Sequence, residues 1–183
     1  MMALPPFLAK EFSQYIVVDV ETAGPNPSTY ALLSIGACTL QKPPGTFYAE
    51  LQPDQDAQDL EAMAIHRLDF SRLLHEGLPP ALALQNFADW LEGAIPQGEK
   101  PIFVAFNAAF DWMFINEYFL RYLGQNPFGH APLDIKALYM GVKGVAWQQT
   151  SMRYIRDIPL KHNALQDVLD QADLFLEILG SMQ

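Results

Sequence analysis

Several things are scarce in this sequence. Cys38 is the only cysteine, so no disulfide can form within the chain, which fits a reducing compartment. No apolar run approaches the ~18–20 residues that a membrane-spanning helix needs. The opening stretch, MMALPPFLAKEF, has no basic segment ahead of a long apolar one. No secretory signal is therefore expected, and the cytoplasm is the expected location. Repeats, low-complexity tracts and a clear interdomain linker are also missing, so residues 1–183 are expected to form one domain. Basic residues are few: 11 Lys and Arg stand against 21 Asp and Glu, a net charge of −10. That balance argues against a protein that coats nucleic acid through charge alone.

What is present is enough for a folded domain. Half of the residues are hydrophobic, which supplies a sizeable core, and the mean hydropathy of +0.04 suits a soluble globular chain. The charge is uneven. Residues 54–99 hold nine acids against Arg67 and Arg72, whereas Lys136, Lys143, Arg153, Arg156 and Lys161 face the single acid Asp157. An acidic protein with one basic segment can still grip a short polyanion, although charge runs are more often ordinary solvated faces.

Local patterns predict the elements. Residues 14–20, 31–40 and 46–53 read as strands, the second and third joined by the turn KPPG. Their connections are too short for helical crossovers, so an antiparallel meander is expected. Residues 58–66 read as a short helix and 80–92 as an amphipathic one. PIFVAF (101–106) is a buried strand, and 109–123 a helix ended by Gly124. APLDIKAL holds a short strand running into a helix, and 164–179 is a last helix with Asn163 as its N-cap. The order βββααβαβαα predicts an α/β fold with a mixed sheet and helices on both faces.

The stretch YIVVDVETAG carries the first chemical signal. Residues two apart on a strand share a face, so Asp19 and Glu21 project together from the end of the first strand. Adjacent carboxylates repel, and either one takes a proton or a cation neutralises them. Two distant stretches add to this pair. Asp111 opens a helix after a buried strand, four residues past Asn107, and His162 precedes a helix that carries Asp167 in its early turns. Strand ends and helix starts are where α/β folds place ligands.

Those residues also resemble a known family. VVDVETAG matches the D-x-E-T-x-G motif of the DEDD exonucleases, NAAFD their second motif, and HNALQD the third motif of the histidine-containing DEDDh branch. That branch includes the proofreading subunit of bacterial DNA polymerase III and ribonuclease T. The motifs follow in order, and the likeness spans nearly the whole chain. ALLSIGA is similar to the family's second strand, and AIHRL to a segment where members often carry H-G-I.

The resemblance implies a ribonuclease H-like fold with a central mixed five-stranded sheet flanked by helices. It implies a metal-dependent 3′–5′ exonuclease that acts on single-stranded DNA or RNA ends and releases 5′-monophosphates. Asp19, Glu21 and Asp167 would hold one of two divalent cations, Mg²⁺ or Mn²⁺. Asp19 would touch the second, which Asp111 approaches through water, and His162 would be the general base. All-oxygen ligation suits these ions, two of them can serve an in-line displacement, and an imidazole ordinarily titrates near pH ~6.5.

Substrate contacts are expected from the backbone of Thr22 and Ala23, from Phe110 and Leu33 near the terminal bases, from His66 by family analogy, and from Lys161 with Arg153 and Arg156 on phosphates. For Phe110 and Leu33 the alternative is core packing, the stronger expectation for Leu33. For His66 it is a partly buried structural role. Departures from the family pattern are Phe106, where many relatives carry His, Ala23 in place of a common Thr, and Val168 in place of Ala. Asp134 is expected to cap a helix, His75 and His130 to lie at the surface, and Trp90, Trp112 and Trp147 to be core or half-core. Alternative functions are a hydrolase of short oligoribonucleotides or small phosphodiesters, and a proofreading subunit docked on a polymerase. The second ranks lower because little sequence follows the last helix. Relatives of both monomeric and dimeric kinds leave the oligomeric state open.

Overall fold

The computed structural model describes residues 11–156 and 162–182. Strand β1 (Tyr15–Thr22) lies at its centre. On one side it pairs antiparallel with β2 (Leu32–Thr39), and β2 pairs antiparallel with β3 (Thr46–Glu50). On the other side it runs parallel to β4 (Ile102–Ala105), which runs parallel to β5 (Leu133–Asp134). The order β3-β2-β1-β4-β5 is the expected mixed sheet. Its antiparallel half needs only turns, whereas its parallel half needs crossovers, which helices supply.

Helices α1 (Leu60–His66), α2 (Phe70–Glu76) and α3 (Pro80–Ala94) precede β4. Helix α4 (Ala109–Leu123) joins β4 to β5, and α5 (Ile135–Lys143), α6 (Met152–Arg156) and α7 (Ala164–Gly180) follow. None of the described helices is long and apolar enough to cross a membrane.

The near-continuous apolar run of β1 follows from burial on both faces. Ile16, Val18 and Val20 point into a core built with α3 and α4, where Phe87 stacks on Phe47 at 4.8 Å. Tyr15 and Val17 point the other way, into a core built with α5 and α7. Asp19 and Glu21 continue the second face beyond the point where it stays apolar.

Four expectations change. The separate helix α2 starts within RLDFSRLL, at Phe70, and is capped by Asp69, whose carboxylate accepts from the Arg72 amide at 3.1 Å. Arg67, in the left-handed region at φ 58°, divides it from α1. A further short helix, α6, precedes the segment before His162. Strand β3 stops at Glu50, and Leu51 makes only a single bridge, to Leu78. Trp90 and Trp112 are half-buried against the core, but Trp147 is exposed and has the Lys136 Nζ 4.1 Å from its ring centre.

Gly36 fixes how closely the last helix approaches. It pairs with Asp19 across β1 and β2, and a methyl group there would overlap the carbonyl carbon and oxygen of Ala164. Only a residue without Cβ lets the start of α7 rest on the sheet at this point. Gly36→Ala is expected to destabilise the protein by about 1–3 kcal/mol through overpacking, measured by urea denaturation. An unchanged midpoint would contradict the close approach.

Candidate active site

Each acidic group reaches the site from an element boundary. Asp19 and Glu21 share the face of β1 that α7 covers, and Asp167 lies in the first turn of α7. Carboxylate oxygens of Asp19, Glu21 and Asp167 lie within 4.8 Å of one another. Asp111 arrives from the opposite face of the sheet, in the first turn of α4. It is buried, and its Oδ1 accepts from the Val20 amide, between Asp19 and Glu21 in sequence, at 3.1 Å. The turn that delivers it passes through Asn107 in the left-handed region at φ 66°, a conformation asparagine tolerates better than most residues.

The helix start under Asp167 is closely specified. Asn163 caps α7, its Oδ1 accepting from the Gln166 amide at 3.1 Å, and its own amide donates to Asp167 Oδ2 at 3.2 Å. His162 stands just before this cap at φ 52°, outside the helix and half-buried. It is near enough to His66 for its charge to act there. Asp111 and His162 lie outside the tight Asp19–Glu21–Asp167 triplet.

Electrostatics show why such a cluster needs a partner. Burial, then the neighbouring Asp167, pushes the Asp19 carboxyl up to about 8. Burial, then Asp19 and Asp167, pushes Glu21 up to about 9. Asp111 is also raised well above the ordinary range, by burial and then by Asp19. These groups cannot all ionise together without a counter-charge. Ionised carboxylates offer only acceptor oxygens, a set that fits hard divalent cations.

One residue of the site carried no signal in the sequence reading. Gln171 is buried one turn after Asp167. Its Nε2 donates to Asp19 Oδ1 at 2.8 Å and its Oε1 accepts from the Phe106 amide at 3.0 Å. Because a backbone N–H can only donate, it fixes which end of the amide faces Asp19. The available clue was its spacing, four residues past Asp167 and hence on the same helix face.

The structure gives each expected substrate contact among the described residues a definite setting. Leu33 is fully buried with Ala23, Phe70 and Leu73, so it packs the core and has no face open to a base. The Ala23 amide already donates to Ala31 O at 2.8 Å, so it is not free for a sugar or phosphate. His66 is a buried clasp. Its Nδ1 accepts from the Leu68 amide at 3.0 Å, and Nε2 lies 3.1 Å from Thr22 O, as a donor. Burial, with a smaller contribution from His162, lowers its pKa and favours the neutral ring. The Thr22 hydroxyl donates to Gly24 O at 2.8 Å. Arg156 is held by Glu177 at 2.6 Å and by the Asp170 carbonyl at 3.4 Å, so it ties α6 to α7. Phe110 is half-buried beside Asp111, its ring 5.5 Å from that of Phe114. Arg153 is exposed, and Lys161 lies outside the described residues. Asp134 caps α5 through the Ala137 amide at 2.6 Å and also accepts from the Ala108 amide. His75 and His130 are exposed.

Comparison with known proteins gives the family. A family model described as the 3′–5′ exoribonuclease Rv2179c-like domain matches residues 14–179. The chain belongs to this family of DEDD 3′–5′ exonucleases. Among its relatives, the 3′–5′ DNA exonuclease Cap18 of Escherichia coli is 42% identical over 166 residues, covering 88% of this chain and 89% of Cap18. Ribonuclease T of Yersinia enterocolitica is 34% identical over 180 residues, covering 90% of this chain and 84% of that enzyme. In fold, this exonuclease is similar to the nuclease domain of 3′hExo, a DEDDh family member solved with rAMP, at a TM-score of 0.73 and 13% identity over 90% of each chain. It is also similar to E. coli exonuclease I in complex with single-stranded DNA, at a TM-score of 0.65 and 16% identity, covering 90% of this chain and 39% of that one.

Two outcomes follow from the site. Gln171→Leu is expected to weaken Mn²⁺ binding about ten-fold, because Asp19 loses the donor that orients it; titration calorimetry reads this, and unchanged affinity would contradict it. The second concerns pH. Asp19 and Glu21 are raised in the folded chain to about 8 and about 9, above unfolded values near 4. Their contribution to stability is therefore full below about pH 4 and is lost as pH rises through about 8–9. Metal-free protein should lose thermal stability across that window. Added Mn²⁺ should raise Tm more near pH ~8.5 than near pH ~5.5, since the cation favours the ionised groups. An equal gain at both would contradict the assignment.

Proposed function

We propose that this exonuclease shortens single-stranded DNA or RNA from the 3′ end by phosphodiester hydrolysis, using two Mg²⁺ or Mn²⁺ ions and releasing 5′-monophosphates. The observation that carries this reading is the convergence of Asp19, Glu21 and Asp167 oxygens within 4.8 Å, with burial holding Asp19 and Glu21 far above their usual pKa. The names of the relatives support both sugar types, since Cap18 is a DNA exonuclease and Ribonuclease T a ribonuclease.

Asp19, Glu21 and Asp167 would hold one cation, and Asp19 with Asp111 would serve the second. When bound, such ions neutralise the carboxylates, favour ionisation of the attacking water and stabilise the departing 3′ oxygen. Gln171 keeps one Asp19 oxygen occupied, so the carboxylate presents a fixed edge to the cluster. Asp111 is held in the same way by the Val20 amide. His162, outside the helix that bears Asp167, takes the proton of the attacking water. The bond from phosphorus to the 3′ oxygen breaks, the shortened strand leaves with that oxygen, and the phosphate departs on the 5′ side of the terminal nucleoside. Little of this requires reading a base, in keeping with a 3′ end of any sequence.

Single-stranded DNA and RNA labelled at either end test the reading. With Mg²⁺ or Mn²⁺, 5′-labelled strands should shorten progressively, while 3′-labelled strands release labelled mononucleotide at once. EDTA should abolish both. Asp19→Ala should lower the rate by at least about a thousand-fold, the scale of losing one element of preorganised charge. Persistent hydrolysis by that variant, or shortening from the 5′ end, would overturn the proposal.

A further inference from the structure

In this acidic chain one acid-free segment gathers several of the few basic residues. From Ile135 to Arg156 there is no Asp or Glu, while Lys136, Lys143, Arg153 and Arg156 fall within it. Arg156 is engaged with Glu177. Among the described residues Lys136, Lys143 and Arg153 have no ion-pair partner, as Arg67 and Lys100 elsewhere have none, whereas Lys42, Arg72 and Arg121 are each bridged to a carboxylate. The same segment carries two aromatic side chains that the core leaves out: Trp147 is 49% exposed and Tyr154 72%. Exposed apolar side chains scattered singly are ordinary; here both aromatics fall in the segment that carries the cations, and one of them lies under a lysine.

The segment begins beside the catalytic centre. Lys136 lies in the first turn of α5, whose cap Asp134 pairs with Ala105 across β4 and β5. Asp134 also accepts from the Ala108 amide, three residues before Asp111. The Lys136 ammonium in turn lies over the Trp147 ring. The stacking surface is therefore anchored at the sheet edge where the Asn107–Asp111 turn enters the site. At its far end α6 is fastened to α7, the helix of Asp167, through Arg156.

Unpaired cations interleaved with exposed aromatic faces are the combination that holds a single strand without reading its sequence. Phosphates meet the cations, and every base has a face that can stack. An acidic protein partner would use the cations but would not need the open Tyr154 ring or the face of Trp147 that Lys136 leaves uncovered. We propose that the strand leading to the scissile 3′ end runs along Lys136–Arg156, its bases stacking on Trp147 and Tyr154 and its phosphates meeting Lys136, Lys143 and Arg153. This rests on the reading that the carboxylate cluster hydrolyses a 3′ end. It adds a length requirement: a strand too short to lie along the segment gains nothing from the rings.

Hydrolysis of a trinucleotide and a dodecanucleotide, in oligodeoxythymidine and oligouridine series, tests it. In the Trp147→Ala/Tyr154→Ala variant the ratio of kcat/KM for the long over the short substrate should fall at least about ten-fold. In Lys143→Gln/Arg153→Gln the salt dependence of KM for the long substrate should flatten by roughly 0.7 in log–log slope for each cation removed. An unchanged ratio with an unchanged slope overturns the track, and the two series show which sugar it favours. Should the wild-type protein hydrolyse neither length, the reading of the site itself falls. Fluorescence anisotropy of the labelled dodecanucleotide then decides the track separately: weaker binding by both variants supports it, and equal binding rejects it. Capture of an acidic protein with no affinity for the strand would likewise overturn it.

Discussion

Like charges held together where water is scarce dominate this molecule. Asp19, Glu21, Asp111 and Asp167 come from three elements and meet at one end of the sheet. Left to themselves they repel, and burial raises the pKa of Asp19, Glu21 and Asp111. The arrangement costs stability, and the surrounding structure has to impose it. The costly centre is therefore fastened on every side by interactions that tolerate little displacement.

Those fastenings join backbone and side-chain groups. Gly36 lets the first turn of α7 touch the sheet, which brings Asp167 down beside Asp19. Gln171 then joins α7 to β1 and β4 with one amide group. On the other flank, Asp54 accepts from Tyr118 and Tyr122 and pairs with Arg121, while the Tyr118 hydroxyl accepts from the Leu32 amide at 2.8 Å. Leu32 is opposite Thr22, at the irregular register that follows Glu21. The end of β1 is thus held from α4 as well as from α7.

Much of this is legible in the sequence because it is local. Asp19 and Glu21 sit on an alternating strand, and Asp111 and Asp167 in first turns with recognisable starts. What escapes is what depends on distant atoms. A glutamine inside a helix looks ordinary, and the role of Gln171 exists only because residues 152 and 65 positions away fold beside it. The Ala23 amide looks free until the β1–β2 register gives it Ala31 as a partner. Helices α2 and α6 are too short for periodicity to declare. Trp147 is misread because aromatic residues are core by default, and here a lysine takes the place of the core.

The two opposed cores have a consequence of their own. Helix α4 is bedded on one face of the sheet and α7 on the other, and each delivers one carboxylate that β1 cannot supply. A chain with only one layer assembled would bring together only part of the carboxylate cluster. If the proposed chemistry needs all four groups, folding acts as an interlock, and the centre is completed only when both helical layers close on the sheet.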